Sequence, residues 1–152
     1  GVAVENSDIA STVHVHNPHY GSAEVPVKQL YDFPQGVIGF SSIQNYALIS
    51  IEETDFYVLQ AVTDSVSFIV IPAGEVDPTY SIQVDDHTME LLEADGSENI
   101  VPFLIVNMIE DRPHVNLKAP VLLSTASQKG CQYIAANSEY PIRYPLLTKE
   151  NG

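Results

Sequence analysis

Short runs of Val, Ile, Tyr, Phe and Thr recur along this chain, and Pro, Gly, Asn and Asp separate them. Runs of about four to eight such residues are typical of strands, because branched and aromatic side chains pack well on a pleated surface. The intervening residues favour turns, since Pro lacks an amide hydrogen and Gly accepts positive φ. No apolar pattern with a helical period is long enough to indicate a long helix. The chain is therefore predicted to be mainly β, with about ten strands.

The order of the runs predicts a hairpin or two neighbouring edge strands near the beginning of the chain and a meander after it. Ser11–Val15 and Gly21–Val25 flank the turn residues Asn17 and Pro18, so we expect these two strands to be neighbours. The other strands are predicted at Gln29–Phe33, Tyr46–Ile51, Phe56–Val62, Val66–Ile71, Tyr80–Val84, Ile100–Ile109, His114–Leu117, Val121–Thr125 and Gln132–Ala135.

One helix is predicted between two of these strands. Asp85 and Asp86 offer an N-cap, and Asp95 with Gly96 would end a helix of about two or three turns. Ala73–Pro78 is predicted as a loop. Gln128-Lys129-Gly130 is predicted as a turn between strands.

Acidic residues dominate the first part of the chain. Six Lys and Arg oppose twenty Asp and Glu among 152 residues, which gives a formal net charge of -14. Residues 1–110 contain seventeen acids and the single base Lys28, and twelve acids without a base lie from Glu52 to Glu98. This charge excludes nucleic acids and anionic membranes as direct partners. The acidic stretch is either a solvated face or a docking face for a basic protein.

The single cysteine and the apolar runs bear on the compartment. Cys131 cannot form an intramolecular disulfide, no apolar run has the length of a membrane span, and the N-terminal residues lack the features of a signal peptide. We therefore expect a cytoplasmic protein. Lys129 would lower the pKa of the Cys131 thiol if that thiol were exposed, but a lone cysteine in a strand is more often buried and inert.

Motifs of common enzyme sites are missing from the sequence. It contains no nucleophile elbow, phosphate loop or dinucleotide fingerprint, so no catalytic residue and no cofactor is predicted. Adjacent carboxylates such as Glu52-Glu53 lie among other acids without interleaved bases, which leaves acid–base chemistry unsupported. The remaining alternative is a small β-barrel that acts as a carboxylate- or metal-dependent hydrolase or binds a small molecule.

His14, His16 and His19 form the one cluster with metal-like spacing. His14 and His16 share a face of the first strand, and His19 would approach them across the turn. A solvated edge strand is the commoner explanation of such a cluster, because a closed site also needs further ligands. His87 and His114 are interpreted as surface or capping residues.

One loop is the first part of a family signature. Phe33-Pro34-Gln35-Gly36-Val37-Ile38-Gly39-Phe40 combines one Pro and two Gly with four apolar side chains, which predicts an apolar loop folded onto the core. It matches in full the F-P-x-G-x-x-G-F signature of the flagellar assembly factor FliW family, through Phe33, Pro34, Gly36, Gly39 and Phe40.

Further blocks of that family follow in order along the chain. They are Phe56–Gln60, Phe68–Pro72, the acidic segment Asp85–Leu92, Val115–Pro120 with Asn116, Lys118 and Pro120, and Tyr140–Leu146 with Tyr140, Pro141 and Arg143. The chain thus resembles the FliW family from roughly His19 to Leu147. Two positions depart from the pattern, since the family often has His where Tyr144 stands and a basic residue near Cys131.

The resemblance implies a fold and a function. It implies a single β domain at residues 11–147, with a rolled, barrel-like mixed sheet and one or two short helices, between a loose or vector-derived extension at residues 1–10 and a tail at residues 148–152. It further implies a non-enzymatic cytoplasmic regulator with two protein partners. These would be flagellin and CsrA, an RNA-binding translational repressor that free FliW binds and antagonises.

The acidic stretch is where we expect CsrA to bind, because an RNA-binding protein is expected to be basic. Within that stretch the loop and the helix supply the exposed candidates, which are Glu75, Asp77, Asp85, Asp86, Glu90 and Glu93. The family blocks either fix the fold or bind a partner. Regularly spaced Pro keeps Tyr140–Pro145 out of regular sheet or helix, so we expect that segment to lie extended over the body.

Overall fold

A computed structural model describes residues 12–18 and 21–146 of the chain. Within these ranges the strands are β1 (Thr12–Asn17), β2 (Gly21–Pro26), β3 (Leu30–Asp32), β4 (Asn45–Ser50), β5 (Tyr57–Ala61), β6 (Ser67–Pro72), β7 (Ile100–Ile109), β8 (Arg112–Val115), β9 (Val121–Ser124), β10 (Lys129–Gln132) and β11 (Tyr144–Pro145). The helices are α1 (Ala73–Val76) and α2 (Asp86–Leu91), and 3-10 turns span Val27–Gln29 and Ser97–Asn99.

Seven strands close into a barrel. Their order is β3, β4, β5, β6, β7, β9 and β10, and β10 pairs again with β3. Neighbours are antiparallel except β3 and β10, where Lys129 lies opposite Asp32 in a parallel pair. Closure leaves no free edge within the barrel. The prediction of a mainly β, barrel-like mixed sheet with one or two short helices is confirmed.

Apolar side chains fill the barrel. The residues of the buried interior cluster are Tyr31, Phe33, Val37, Tyr46, Leu59, Ala61, Val70, Phe103, Val121 and Leu123. Removing each large apolar side chain from water contributes about 1.5–3 kcal/mol. The ring of Phe33 meets that of Tyr46 edge to face at a centroid distance of 5.0 Å. A Cβ on Gly130 would lie 2.5 Å from the Phe33 ring, so this close packing of β10 on the ring requires glycine.

The hairpin of β1 and β2 packs on the outside of the barrel. Its strands are neighbours, as the sequence predicts, and they pair from Thr12 with Pro26 to Asn17 with Gly21. Val15 and Val25 are buried against Ala47 of β4. The buried side chain of Asn17 donates a hydrogen bond to that of Gln60 in β5.

A second sheet extends beyond the barrel because β7 is ten residues long. Its first half pairs with β9 and its middle with β6, whereas Val106–Ile109 pairs with β8, and β8 pairs with β11. We call Val106–Ile109, β8 and β11 the outer sheet. A separate apolar cluster around Leu104, Val115 and Leu117 joins it to the barrel and to α1.

Several local predictions are wrong. Of the predicted strand Gln132–Ala135 only Gln132 lies in a strand, at the end of β10, and Tyr144–Pro145, predicted to stay out of regular sheet, forms β11. Tyr80–Val84 forms no strand, because Ile82 and Val84 pack on the Leu92 cluster while side-chain hydroxyls, not a neighbouring strand, take up the backbone groups of Ser81 and Gln83. Ala73–Val76 is a helical turn and not a loop. The turn at residues 128–130 lies earlier, at residues 125–128, so that Gly130 can be part of β10.

The helix after Asp85 is shorter than the two or three turns that the sequence predicts. It ends at Leu91, and the chain turns to a positive φ of 50° at Glu93. The predicted extension at residues 1–10 and the tail at residues 148–152 lie outside the described residues. Among the described residues no helix has the length and apolarity that a membrane crossing requires.

Candidate protein-docking site

The predicted acidic residues around α1 differ in their freedom to meet a partner. Glu75 is exposed on α1. The Asp77 carboxylate Oδ1 accepts hydrogen bonds from the Thr79 hydroxyl at 2.7 Å and from the Thr79 amide at 2.9 Å. The side-chain and backbone hydrogen bonds from Thr79 lower the pKa of Asp77. The Asp77 carboxylate therefore stabilises a local turn, while the Glu75 carboxylate is available to bind a partner.

Asp85 is the N-cap of α2, as the sequence predicts. Its Oδ1 accepts a hydrogen bond from the Thr88 amide at 2.8 Å. Hydrogen bonding to the Thr88 side chain and amide lowers the pKa of Asp85, which keeps the cap ionised where it faces the positive end of the helix. The side chain thus already has a structural role.

Asp86, Glu90 and Glu93 are exposed along α2 and the turn that follows it. Together with Asp95 they line one shallow depression of about 550 Å³. Lys129 contacts Glu93 at 3.5 Å between Nζ and Oε2, but the same Nζ lies 2.8 Å from Asp32 Oδ2. The hydrogen bond to Asp32 is the main reason why the pKa of Lys129 is raised. Among the described residues, Asp86, Glu90 and Asp95 thus remain the acids of this surface without an ion pair.

The structure divides the predicted acids between separate surfaces. Glu75 lines a groove of about 630 Å³, which we call the outer groove because the outer sheet forms one of its walls. Asp85 and Asp86 border a different groove of about 670 Å³, opposite Tyr133 and Ile134. The acidic stretch is therefore not one continuous site.

The outer groove contains residues that the sequence analysis did not select. Besides Glu75 it is lined by Glu53, Thr54, Asp55, Phe56, Ile71, Val76, Pro113, Tyr144, Pro145 and Leu146. These residues come from the β4–β5 loop, from β6 and α1, and from the outer sheet. The sequence analysis named five of these residues, but only as members of the family blocks: Phe56, Ile71, Tyr144, Pro145 and Leu146. The paired acids at 52 and 53 were the one further signal in the sequence.

The F-P-x-G-x-x-G-F loop serves the fold. Phe33 is fully buried, and a Cβ on Gly36, whose φ is 66°, would lie 2.5 Å from the carbonyl oxygen of Phe40. The Phe40 ring packs edge to face on Phe68 at 5.5 Å, although the residue is 39% exposed. The Pro34 carbonyl accepts a hydrogen bond from the Gln44 side chain. The expectation that this loop folds onto the core is confirmed for Phe33 and Val37, only in part for Phe40, and not for exposed Ile38.

The Asn116–Pro120 block fixes a turn. Asn116 Oδ1 accepts a hydrogen bond from the Lys118 amide at 2.9 Å. The carbonyl groups of Lys118 and Pro120 accept hydrogen bonds from the amides of Ala135 and Tyr133. Backbone geometry thus accounts for this block.

The last block is partly structural and partly exposed. Tyr140 stacks on Tyr80 at 4.7 Å, and its hydroxyl accepts a hydrogen bond from the Ser81 amide. The Pro141 carbonyl accepts a hydrogen bond from the Leu117 amide. The side chains of Ile142, Arg143 and Tyr144 are exposed, so a partner could reach them, and Ile142 is 62% exposed.

The predicted histidine cluster is only partly described. His14 and His16 are exposed on β1, where their Nδ1 atoms lie 3.2 Å from Glu24 Oε1 and 2.9 Å from Ser22 Oγ. His19 lies outside the described residues. Across residues 12–18 and 21–146, no group of three or more His, Cys, Asp or Glu side chains has an arrangement that could hold a metal ion.

Cys131 is buried, which is the second of the two interpretations of its sequence context. Burial raises the pKa of its thiol to about 11, with a smaller contribution from the charge of Asp85. A protonated, inaccessible thiol is a poor nucleophile. Cys131 therefore contributes to packing, beside Leu92 and Leu122.

Known proteins resemble this chain over most of its length. The model of the family described as FliW protein matches residues 14–146. The flagellar assembly factor FliW of Caldicellulosiruptor saccharolyticus is 32% identical over 136 residues, which cover 88% of this chain and 90% of the relative. The flagellar assembly factor FliW of Geobacillus kaustophilus is 30% identical over 135 residues, which cover 87% and 94% of the two chains.

A solved structure agrees with these matches. A crystal structure of the flagellar assembly factor FliW superimposes with a TM-score of 0.80 at 28% sequence identity. The superposition covers 90% of this chain and 99% of the other. Sequence and fold thus agree on one family.

Proposed function

This chain belongs to the FliW family of flagellar assembly factors, and from that premise we propose that it is a non-enzymatic partner switch in the cytoplasm. In this proposal it binds flagellin, and when flagellin has left for export it binds and antagonises the translational repressor CsrA. Flagellin synthesis would then follow flagellin export. The flagellin half of the proposal depends on family membership.

The CsrA half is supported by the distribution of charge. Twelve acids and no base lie from Glu52 to Glu98, and Glu75, Asp86 and Glu90 are exposed in the fold. Their carboxylates make no hydrogen bond or ion pair with other described residues. Such a surface raises the association rate of a basic protein and repels RNA itself. The exposed acidic stretch is the observation that carries this half.

Titration of the purified protein with CsrA and with flagellin, by calorimetry at two salt concentrations, tests the proposal. We expect binding of each partner at micromolar concentration or below, and CsrA affinity that falls as salt rises, because exposed charges are screened. Flagellin loaded first should prevent CsrA binding. The proposal fails if neither partner binds, and the acidic interface fails if the CsrA affinity is insensitive to salt.

Charge-reversal variants separate the effect of the acidic surface on CsrA binding from the effect of the net charge of the protein. Asp86→Lys with Glu90→Lys should slow CsrA association, mainly through the on-rate. Glu110→Lys with Glu139→Lys is the control with the same change in net charge, since both residues are exposed and lie outside the acidic stretch. Asp77 and Asp85 are left unchanged because their carboxylates hold a turn and a helix cap.

A further inference from the structure

The outer groove has an apolar floor and an acidic rim. Phe56, Ile71, Val76 and Leu146 belong to the apolar cluster beneath the outer sheet and also line the groove. Its volume of about 630 Å³ lies within the range of about 300–1,000 Å³ that is typical of ligand sites. The groove therefore has room for a few side chains of a partner and not for a folded domain.

The outer sheet continues this apolar surface into solvent. Side chains alternate between the faces of a strand, and directly paired residues share a face. The register therefore places Val106, Val115 and Tyr144 on one face, together with Met108 and its partner Pro113. Val115 is buried, whereas Tyr144 is 39% and Met108 65% exposed. One apolar face thus begins in the core and ends uncovered.

Three carboxylates line the groove from elements other than the outer sheet. Glu53 and Asp55 on the β4–β5 loop and Glu75 on α1 line it, all three are exposed, and none of the lining residues is Lys or Arg. Arg112 is paired with Ile109 and so belongs to the opposite face of the outer sheet. A complementary occupant has apolar side chains flanked by positive charge.

We propose that the outer groove binds a segment of the basic partner, with an apolar side chain on the Phe56–Leu146 floor and Lys or Arg side chains against Glu53, Asp55 and Glu75. This inference rests on the proposed function, because it takes CsrA as that partner. It adds an apolar anchor to an interface otherwise described by charge alone. It also selects the groove over the acidic surface of α2 as the contact that determines affinity.

Two pairs of variants test the groove by calorimetric titration with purified CsrA. Glu53→Lys with Glu75→Lys should weaken binding about tenfold or more, since like charges would face each other. Glu98→Lys is its control, because Glu98 is exposed in the same acidic stretch but does not line the groove. Tyr144 lines the groove, and Met108 lies beside it on the same face, paired with the lining residue Pro113. Tyr144→Ala and Met108→Ala should each weaken binding about fivefold or more, as loss of an interface anchor does.

Ile38→Ala is the control for the apolar variants, because Ile38 is 61% exposed and lies in a different loop. Thermal unfolding of every variant identifies those that fail to fold. Met108 keeps the test valid if Tyr144→Ala disturbs β11, since Met108 is the more exposed of the two. Both controls should bind CsrA within about twofold of the unmodified chain, which is the range of surface changes that make no contact.

The outcomes separate this inference from the proposed function. If the unmodified chain binds CsrA and the groove variants bind equally well, while Asp86→Lys with Glu90→Lys weakens binding, the groove inference is wrong and the partner switch stands. If the unmodified chain does not bind CsrA, both the groove inference and the proposed CsrA function are wrong. If sedimentation shows that Met108→Ala and Tyr144→Ala abolish self-association and leave CsrA binding unchanged, the groove is an interface between two copies of this chain.

Discussion

Replacement of Tyr46 by Phe should stabilise the barrel. Tyr46 is fully buried among apolar side chains, and its hydroxyl is a buried polar atom without a hydrogen-bond partner among the described residues. The ring itself packs well, at 5.0 Å from Phe33 and 6.2 Å from Phe68. Tyr46→Phe removes the hydroxyl and keeps these ring contacts.

The expected gain follows from the cost of burying an unpaired polar group. That cost is about 1–3 kcal/mol, and the void left by one oxygen atom offsets part of it. We expect the free energy of unfolding to rise by about 1 kcal/mol, which for a domain of this size raises Tm by about 2–4 °C. Tyr144→Phe is the control, since an exposed hydroxyl should change stability by less than about 0.5 kcal/mol.

Alkaline pH should enlarge the difference in stability between Tyr46→Phe and the unmodified protein. Burial, and to a smaller extent the charge of Asp64, raises the pKa of Tyr46 to about 12 from the ordinary value of 10.0. Between these pH values the unfolded chain releases the phenolic proton and the folded chain keeps it, so the stability of the unmodified protein falls as pH rises. A difference of two pKa units corresponds to roughly 2–3 kcal/mol. Tyr46→Phe has no phenolic group at this position, so it does not lose this stability at alkaline pH.

Urea unfolding of both variants and the unmodified chain at pH 7 and at intervals up to pH 12 measures these effects. The reasoning is refuted if Tyr46→Phe lowers stability at pH 7 by about 1 kcal/mol or more, because the hydroxyl would then have a partner such as a buried water. It is also refuted if the difference between Tyr46→Phe and the unmodified chain does not grow above pH 10.

Two further predictions concern single contacts, each measured by thermal unfolding. Asp85→Ala should lower the free energy of unfolding by about 1 kcal/mol, because the Thr88 amide loses its cap. Asp85→Asn should lower it by less at pH 7. When the pH falls through the lowered pKa of Asp85, the stability of the unmodified chain should fall toward that of Asp85→Ala. Equal stability of all three would contradict the capping role. Gly130→Ala should lower the free energy of unfolding by about 1–3 kcal/mol, since its Cβ would lie 2.5 Å from the Phe33 ring. Gly74→Ala on α1 is the control, because its Cβ would meet nothing within 4 Å and the change should be neutral or stabilising. Similar effects at both glycines would refute the close-packing argument.

Most strands of the meander were predictable because their cause is local. In β4, β5 and β6 an apolar run between turn residues decides both that a strand forms and roughly where it ends. The Asp85 cap was predictable for the same reason, since its partner is the Thr88 amide three residues away. Tyr80–Val84 has the same local pattern, yet distant Tyr133 and Tyr140 occupy its backbone groups. Its failure as a strand is a tertiary effect.

The candidate site was predictable in chemistry and not in shape. The sequence shows twelve acids and no base from Glu52 to Glu98, and from this it predicts a basic protein as partner. In the fold, Glu75 and Asp86 of this stretch are exposed. The use of Asp77 as a turn residue could not be separated from a binding role until the Thr79 contacts were known.

The sequence by itself determined the β class, the family and the sign of the charge, because strand propensity, motif spacing and ionisation belong to residues or short segments. Only the tertiary structure decided that the barrel closes through β7 and β9, that Gly130 admits the Phe33 ring, and that Glu53, Glu75 and Tyr144 line one groove. Residues so far apart in the chain meet only when the strands pair in one register. That register is selected by the packing of the whole core, so no local pattern contains it.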